Sequence, residues 1–137
     1  MFGAAEKQTA AGRSDRFFPV YESMDMKCKI GPILLDNPTV LAPLAGITNL
    51  PMRLLAKQYG CALVCSEMIS ANGLTFGSDK TRQLMDSCPQ EKPLSVQLFG
   101  SNPDIVAEAA RQVEAAGADI VDINFGCSVR KILKSGS

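Results

Sequence analysis

Residues 94–124 read LSVQLFGSNPDIVAEAARQVEAAGADIVDIN. The stretch opens on a short apolar run, LSVQLFG, of the kind that forms a buried strand. Ser101-Asn102-Pro103-Asp104 then starts a helix: Ser101 or Asn102 accepts the free N–H groups, Pro103 needs no donor, and Asp104 suits the positive helix end. Ile105, Ala109 and Val113 repeat at i, i+4 and mark the face to be buried. Gly117 ends the helix, and a β-branched run, DIVDIN, forms the next strand. Strand, helix, strand within about 30 residues, with continuous apolar strands, is the signature of a parallel sheet covered by helices.

The same unit repeats upstream. TVLAP (39–43) is a buried-type strand, and Gly46 to Asn49 turn the chain. Leu50 to Tyr59 read as a helix with Pro51 in its first turn and Gly60 as its stop. CALVCSE (61–67) is the second strand. A loop through the turn formers Asn72-Gly73 and Gly77 leads to a weaker helix near Ser78 to Asp86. Ahead of all this, KCKIGPILLDNP (27–38) predicts two short strands around Gly31-Pro32, with Asn37-Pro38 as a turn. Residues 1–25 are small, polar and without period, and are expected to be a disordered extension before a domain spanning residues 26–137.

Four βα steps suit either a small doubly wound domain or half of an eight-stranded barrel. APLAGITN does not supply the G-x-G-x-x-G that a dinucleotide fold needs after its first strand. The distinctive residues stand instead at the C-terminal ends of the strands: Pro43, Leu44 and Ala45; Glu67 and Met68; Gln97; and Asn124 to Cys127. Barrel enzymes build their sites at that face. The fold expected is therefore α/β: the N-terminal half of a TIM (β/α)8 barrel, about four βα units preceded by a short β-hairpin.

Composition narrows the chemistry. The 137 residues are 46% hydrophobic, enough for a core, and fourteen basic residues balance fourteen acidic ones. Scattered Lys and Arg make the stretch itself a poor polyanion binder. No apolar run nears the ~20 residues of a membrane span, and the N-terminus has no signal-peptide pattern. Five cysteines without framework spacing predict reduced thiols in a cytoplasm. Cys61 and Cys65, expected on one face of a strand, read as core rather than metal. Histidine is absent, which removes histidine-based triads and most zinc sites.

Cys127, just past a strand end, is either a reactive group or a small hydrophobe packed in a loop. With no histidine to hold a thiolate, a neutral thiol acting as general acid is the easier reactive role, since its ordinary pKa is ~8.5. The Gln97 amide offers donor and acceptor to a heterocycle's edge, or is satisfied by neighbours. Asn124 binds a ligand or bonds its own loop as an Asx-turn. Glu67 orients a loop or takes part in chemistry.

Together, NPTVLAPLAGITNLPMRLLAKQYG (37–60), LVCSEMISA (63–71), LSVQLFGSNPDIVAEAA (94–110) and GADIVDINFGCSVRKILKSGS (117–137) resemble the tRNA-dihydrouridine synthases, in particular their bacterial B-type branch. The resemblance runs from about Cys28 to the last residue. It implies an FMN-dependent TIM barrel in which flavin, recharged by NADPH, passes a hydride to C6 of a uracil in tRNA while a cysteine protonates C5. That cysteine would be Cys127. Pro43, Leu44 and Ala45 would lie along the flavin, Gln97 would bond its ring edge, and Asn124 would stand where flavin and uracil meet. No metal is implied.

Two positions depart from the family pattern: Leu44 stands for a methionine, and Ser128 for the proline that follows the cysteine. Family members also continue through four more strands, which carry a flavin lysine, a histidine and the FMN-phosphate loops, and then a helical tRNA-binding domain. Three readings stay open: the front part of a cytoplasmic dihydrouridine synthase; a catalytically incompetent half-barrel that associates with itself or with a complementary half; or an FMN barrel that reduces free pyrimidines.

Overall fold

The computed structural model describes residues 27–126. The expected extension over residues 1–25 lies outside that span, as does Cys127. The expected hairpin is present: β1 (Cys28–Ile30) and β2 (Ile33–Leu35) pair antiparallel. Gly31 closes it at φ +56°, a left-handed conformation that glycine adopts without steric penalty.

The first βα unit is β3 (Val40–Leu41) and α1 (Leu50–Gln58). The Asn49 side chain caps α1 by accepting from the Met52 N–H, and Pro51 sits in the first turn. The second unit holds β4 (Leu63–Cys65), β5 (Ile69–Ser70), α2 (Ala71–Thr75) and α3 (Asp79–Gln83). A 3-10 turn, Pro89–Glu91, leads into β6 (Leu94–Phe99), α4 (Pro103–Ala115) and β7 (Ile120–Ile123). Of the two candidate caps for α4, Asn102 does the capping: its Oδ1 accepts from the N–H groups of Asp104 and Ile105.

Two details differ from expectation. Asn72-Gly73 is not a turn but part of α2, because Ser70 Oγ accepts the Gly73 N–H and starts a helix there. Gly73 provides clearance instead: a Cβ at this position would lie 2.7 Å from Thr81 Oγ1. The second difference is β5, two residues too short to leave a period in the sequence.

Strand register explains β5. Ser95 pairs with Cys65 on one side and Ile120 on the other, and Leu98 pairs with Ile69 and Ile123 in the same way. So β4 and β5 lie on one side of β6 as two pieces of an interrupted strand, with Glu67 and Met68 between them. The order is β3, β4/β5, β6, β7: parallel throughout and following the chain. A doubly wound sheet reverses its order at a switch point, and this one does not. The molecule is α/β with an open parallel sheet whose edges, among the described residues, are β3 and β7.

The two faces of the sheet differ. Val64, Leu94, Val96 and Leu98 pack with Ala71 and Leu74 of α2 and Ala109 and Val113 of α4. Period-2 alternation sends Leu63, Cys65, Ser95, Gln97, Ile120 and Asp122 the other way. At the N-terminal end of that second face, Leu35 and Ile33 of the hairpin pack with Leu63 and Ile120. At its C-terminal end the side chains become polar.

Candidate functional site

The polar end of the sheet is assembled strand by strand. After β3, Pro43 is half-buried, while Leu44, 46% exposed, and Ala45 stand open. Buried Thr48 shapes this loop: its hydroxyl accepts from the Leu44 N–H at 3.0 Å, and the Leu44 carbonyl accepts from the Ile47 and Thr48 N–H groups. Gly46, at φ +75°, turns its N–H onto the Glu67 carboxylate. Of the two readings of Glu67, loop orientation is the one its contacts support. It ties the β3 loop to the break between β4 and β5.

From there the connection passes to β6. Buried Ser66 donates its hydroxyl to the Glu67 carbonyl at 2.8 Å and accepts the Gln97 N–H at 3.2 Å. The Gln97 side chain, 8% exposed, donates through Nε2 to Asp122 Oδ2 at 2.6 Å and accepts through Oε1 from Asn124 Nδ2 at 3.1 Å. Asn124 Nδ2 also faces Met68 Sδ at 3.3 Å, and its Oδ1 accepts the Gly126 N–H at 2.9 Å. Asn124 thus closes an Asx-turn and bonds a neighbouring strand as well.

The structure therefore gathers Glu67, Gln97 and Asn124 at one rim, with Pro43 to Ala45 attached through Glu67. Met68, expected at this face, is there beside Asn124, whereas sequence reading missed Ser66 and Asp122. Asp122 left a signal: an acid at an inward position of an otherwise apolar strand. A cavity of about 310 Å³ between the start of α1 and residues 83–86 shares only Glu67 with this rim.

No group of three or more His, Cys, Asp and Glu that could hold a metal is found among the described residues. Cys61 precedes β4 rather than sharing a strand face with Cys65, and its thiol donates to the Leu63 carbonyl at 3.1 Å. Cys65 is buried on the inward face. Burial pushes its thiol pKa up, a hydrogen bond with Ser95 opposes this, and the nearby Asp122 and Cys61 push the same way as burial. No helix among the described residues is long and apolar enough to cross a membrane.

A rim of this kind needs an independent test of kinship. The family model for dihydrouridine synthase (Dus) matches residues 40–137, more than half of the chain. The chain belongs to the dihydrouridine synthase family. Over 106 residues it is 42% identical to tRNA-dihydrouridine synthase B of Shewanella oneidensis, covering 77% of this chain and 33% of that protein. It is 43% identical over 109 residues to a probable tRNA-dihydrouridine synthase of Rickettsia prowazekii, covering 77% and 32% respectively. For tRNA-dihydrouridine synthase B of Pseudomonas aeruginosa the figures are 39% over 104 residues, 76% and 31%. The chain spans about a third of the length of the curated relatives it matches.

The donor set can be compared with the flavin ring that the sequence resemblance implies. A primary amide has two N–H groups and an oxygen with two lone pairs. Gln97 commits one N–H to Asp122 and one lone pair to Asn124, which leaves one of each for a ring edge. Exposed Leu44 and Ile47 add apolar surface on the β3 side. These residues fit a ring. Four of the described cations are engaged within the chain: Arg53 with Glu91, Lys57 with the Ala62 carbonyl, Lys92 with Asp119 and Arg111 with Glu108.

Proposed function

We propose that this chain is the N-terminal half of the TIM barrel of an FMN-dependent tRNA-dihydrouridine synthase that works in the cytoplasm with NADPH as reductant. The observation that carries the reading is the linked polar rim, Glu67, Gln97, Asp122 and Asn124, at the C-terminal ends of parallel strands in a chain of this family. The chain-order parallel sheet, with helices on one face and the hairpin at the foot of the other, is what the first half of a barrel requires.

Bound FMN would supply hydride for the C5–C6 double bond of a tRNA uridine. The chain's own residues do the positioning. Pro43, Leu44 and Ala45 lie along the ring, held by Thr48 and Glu67. Gln97 offers its remaining N–H and lone pair to the ring edge. Asn124 stands at the uracil, and Cys127 delivers a proton to C5 as a neutral thiol. Nothing in this division of labour needs a metal.

The test is dihydrouridine content, measured by mass spectrometry of tRNA nucleosides. The intact protein is expressed in a bacterium that lacks its own dihydrouridine synthases. Dihydrouridine should appear at a defined tRNA position. A flavin-loaded protein that leaves every uridine unreduced overturns the proposal, and one that reduces free pyrimidine bases instead points to the other kind of barrel reductase.

A further inference from the structure

The row of amides at the rim has a direction. A carboxylate can only accept, so the side of Gln97 that faces Asp122 at 2.6 Å must be its NH2 group. The Gln97 oxygen is thereby turned to Asn124, which must meet it with its own NH2 at 3.1 Å. That leaves Asn124 Oδ1 for the Gly126 N–H, 2.9 Å away. Reversing both amides would set the Gln97 oxygen against the Asp122 carboxylate and the Asn124 NH2 against the Gly126 N–H; reversing one alone would also bring two donors or two acceptors together between them. Met68 Sδ, also an acceptor, favours the same setting of Asn124. The Asn124 backbone is held as well, its N–H on the Leu98 carbonyl at 2.9 Å.

We infer that Asp122 is a positioning residue: it sets the polarity of the Asp122–Gln97–Asn124 chain and so holds the Gly126 backbone, one residue ahead of Cys127. Its effect on catalysis rests on the proposed function; its effect on Gly126 does not. Asp122 acts through Gln97 and Asn124.

Two variants separate polarity from mere packing. Asp122→Asn keeps the shape, but the new amide can donate as well as accept, so a reversed chain becomes possible and strips Gly126 of its acceptor. Asp122→Asn combined with Gln97→Glu moves the carboxylate one step along. The carboxylate introduced at position 97 then accepts from the amide introduced at position 122 and from the Asn124 NH2, and the setting of Asn124 returns.

The readouts are hydrogen exchange at Gly126, followed by NMR on the isotope-labelled intact protein, and steady-state dihydrouridine formation. Asp122→Asn should lower Gly126 protection roughly tenfold, the scale of losing one hydrogen bond. Its kcat should fall with the KM for tRNA unchanged. The double variant should recover protection to within roughly twofold of wild type, since the charge-assisted bonds are restored. Equal protection in all three proteins overturns the inference, as does a double variant no better than the single one, or an unchanged kcat. Should Asp122→Asn not fold, the double variant, with the wild-type net charge, decides on protection alone. A wild-type protein that makes no dihydrouridine refutes the proposed function, while the exchange pattern still judges the role of Asp122.

Discussion

The side-chain nitrogen of Gln97 lies 2.6 Å from the carboxylate of Asp122, on the face of the sheet turned away from the helices. The pair joins β6 and β7 at register partners, Gln97 being opposite Asp122. Gln97→Leu keeps the volume near that of glutamine but leaves the Asp122 oxygen and the Asn124 N–H without their partner. Unfolding free energy of the intact protein should drop by about 1–3 kcal/mol. Flavin retention should weaken with it, by about tenfold or more, because one net hydrogen bond to the ring is also removed. Denaturant titration and flavin titration read the two effects separately; unchanged flavin affinity would remove Gln97 from the ring edge.

In the intact protein, Cys127→Ala should leave FMN binding and NADPH oxidation nearly as they are. Dihydrouridine formation should fall by the ~10²–10⁴ that losing a general acid brings. Turnover like that of wild type would sink the role of Cys127. Ser128→Pro restricts the residue before it to extended geometry, and should raise product formation or leave it unchanged. A large loss would mean that this loop has a shape of its own.

Arg53 and Glu91 form a buried pair, 2% and 0% exposed, with Nε to Oε2 at 2.6 Å and the other nitrogen to Oε1 at 3.1 Å. The guanidinium also donates to the carbonyls of Thr48 and Asp86, so one side chain joins the β3 loop, the segment after α3 and the turn before β6. Arg53→Leu strands a buried carboxylate and should destabilise by about 3–5 kcal/mol. Adding Glu91→Leu should recover much of that, since two apolar groups of similar volume need no partner. Urea titrations of the single and double variants check both. A double variant as unstable as the single one would mean that the links to Thr48 and Asp86, not the ion pair, hold this corner.

Local rules made much of this molecule legible. Asn102, Pro51, Pro103, Gly60 and Gly117 all sit where capping and stop signals place them. Placing Asn124 at a strand end needed only the strand pattern, whereas Gln97, expected at one, lies inside β6 with Leu98 and Phe99 after it. What pattern could not give was anything that depends on two distant segments meeting. The Arg53–Glu91 pair spans 38 positions, and Glu91 sits in a proline-rich turn that looks like surface. Ser66 became part of the rim only because β4 breaks and resumes as β5. Asn72-Gly73 was misread for the opposite reason: its local turn preference is strong, and packing of α2 against α4 and the sheet overrides it.

Cys65 gives a pH dependence with a definite sign. Its folded-state pKa is raised, chiefly by burial, while in the unfolded chain the thiol ionises near its ordinary value of ~8.5. Below that value both states keep the proton and the site is neutral to stability. Above it the unfolded chain releases its proton while the folded chain retains it, so stability falls as pH rises toward the folded-state pKa. Urea midpoints measured from about pH 7 to about pH 10 should decline, and Cys65→Ala should flatten part of that slope. An equal slope in the variant would place the effect elsewhere. Iodoacetamide should also modify Cys65 only as the protein unfolds.

The 137-residue chain on its own should be colourless and self-associating. Its sheet has β3 and β7 as edges among the described residues, and unpaired N–H and C=O groups along an apolar edge invite pairing with another copy. Val40 on β3 is 49% exposed, and all four residues of β7 are only partly buried. The inward face holds Cys65, Ser95, Gln97 and Asp122, and the hairpin packs on its N-terminal end. Flavin would have ring-side contacts from Pro43 to Ala45 and from Gln97. Size-exclusion chromatography with light scattering should report dimers or larger species, and the purified sample should lack flavin absorbance. Val40→Lys, which puts a charge on the β3 edge, should shift the population toward monomer. A stable monomer that copurifies with stoichiometric flavin would mean that this half of the sheet completes a cofactor site by itself, and the division of labour proposed above would have to be redrawn.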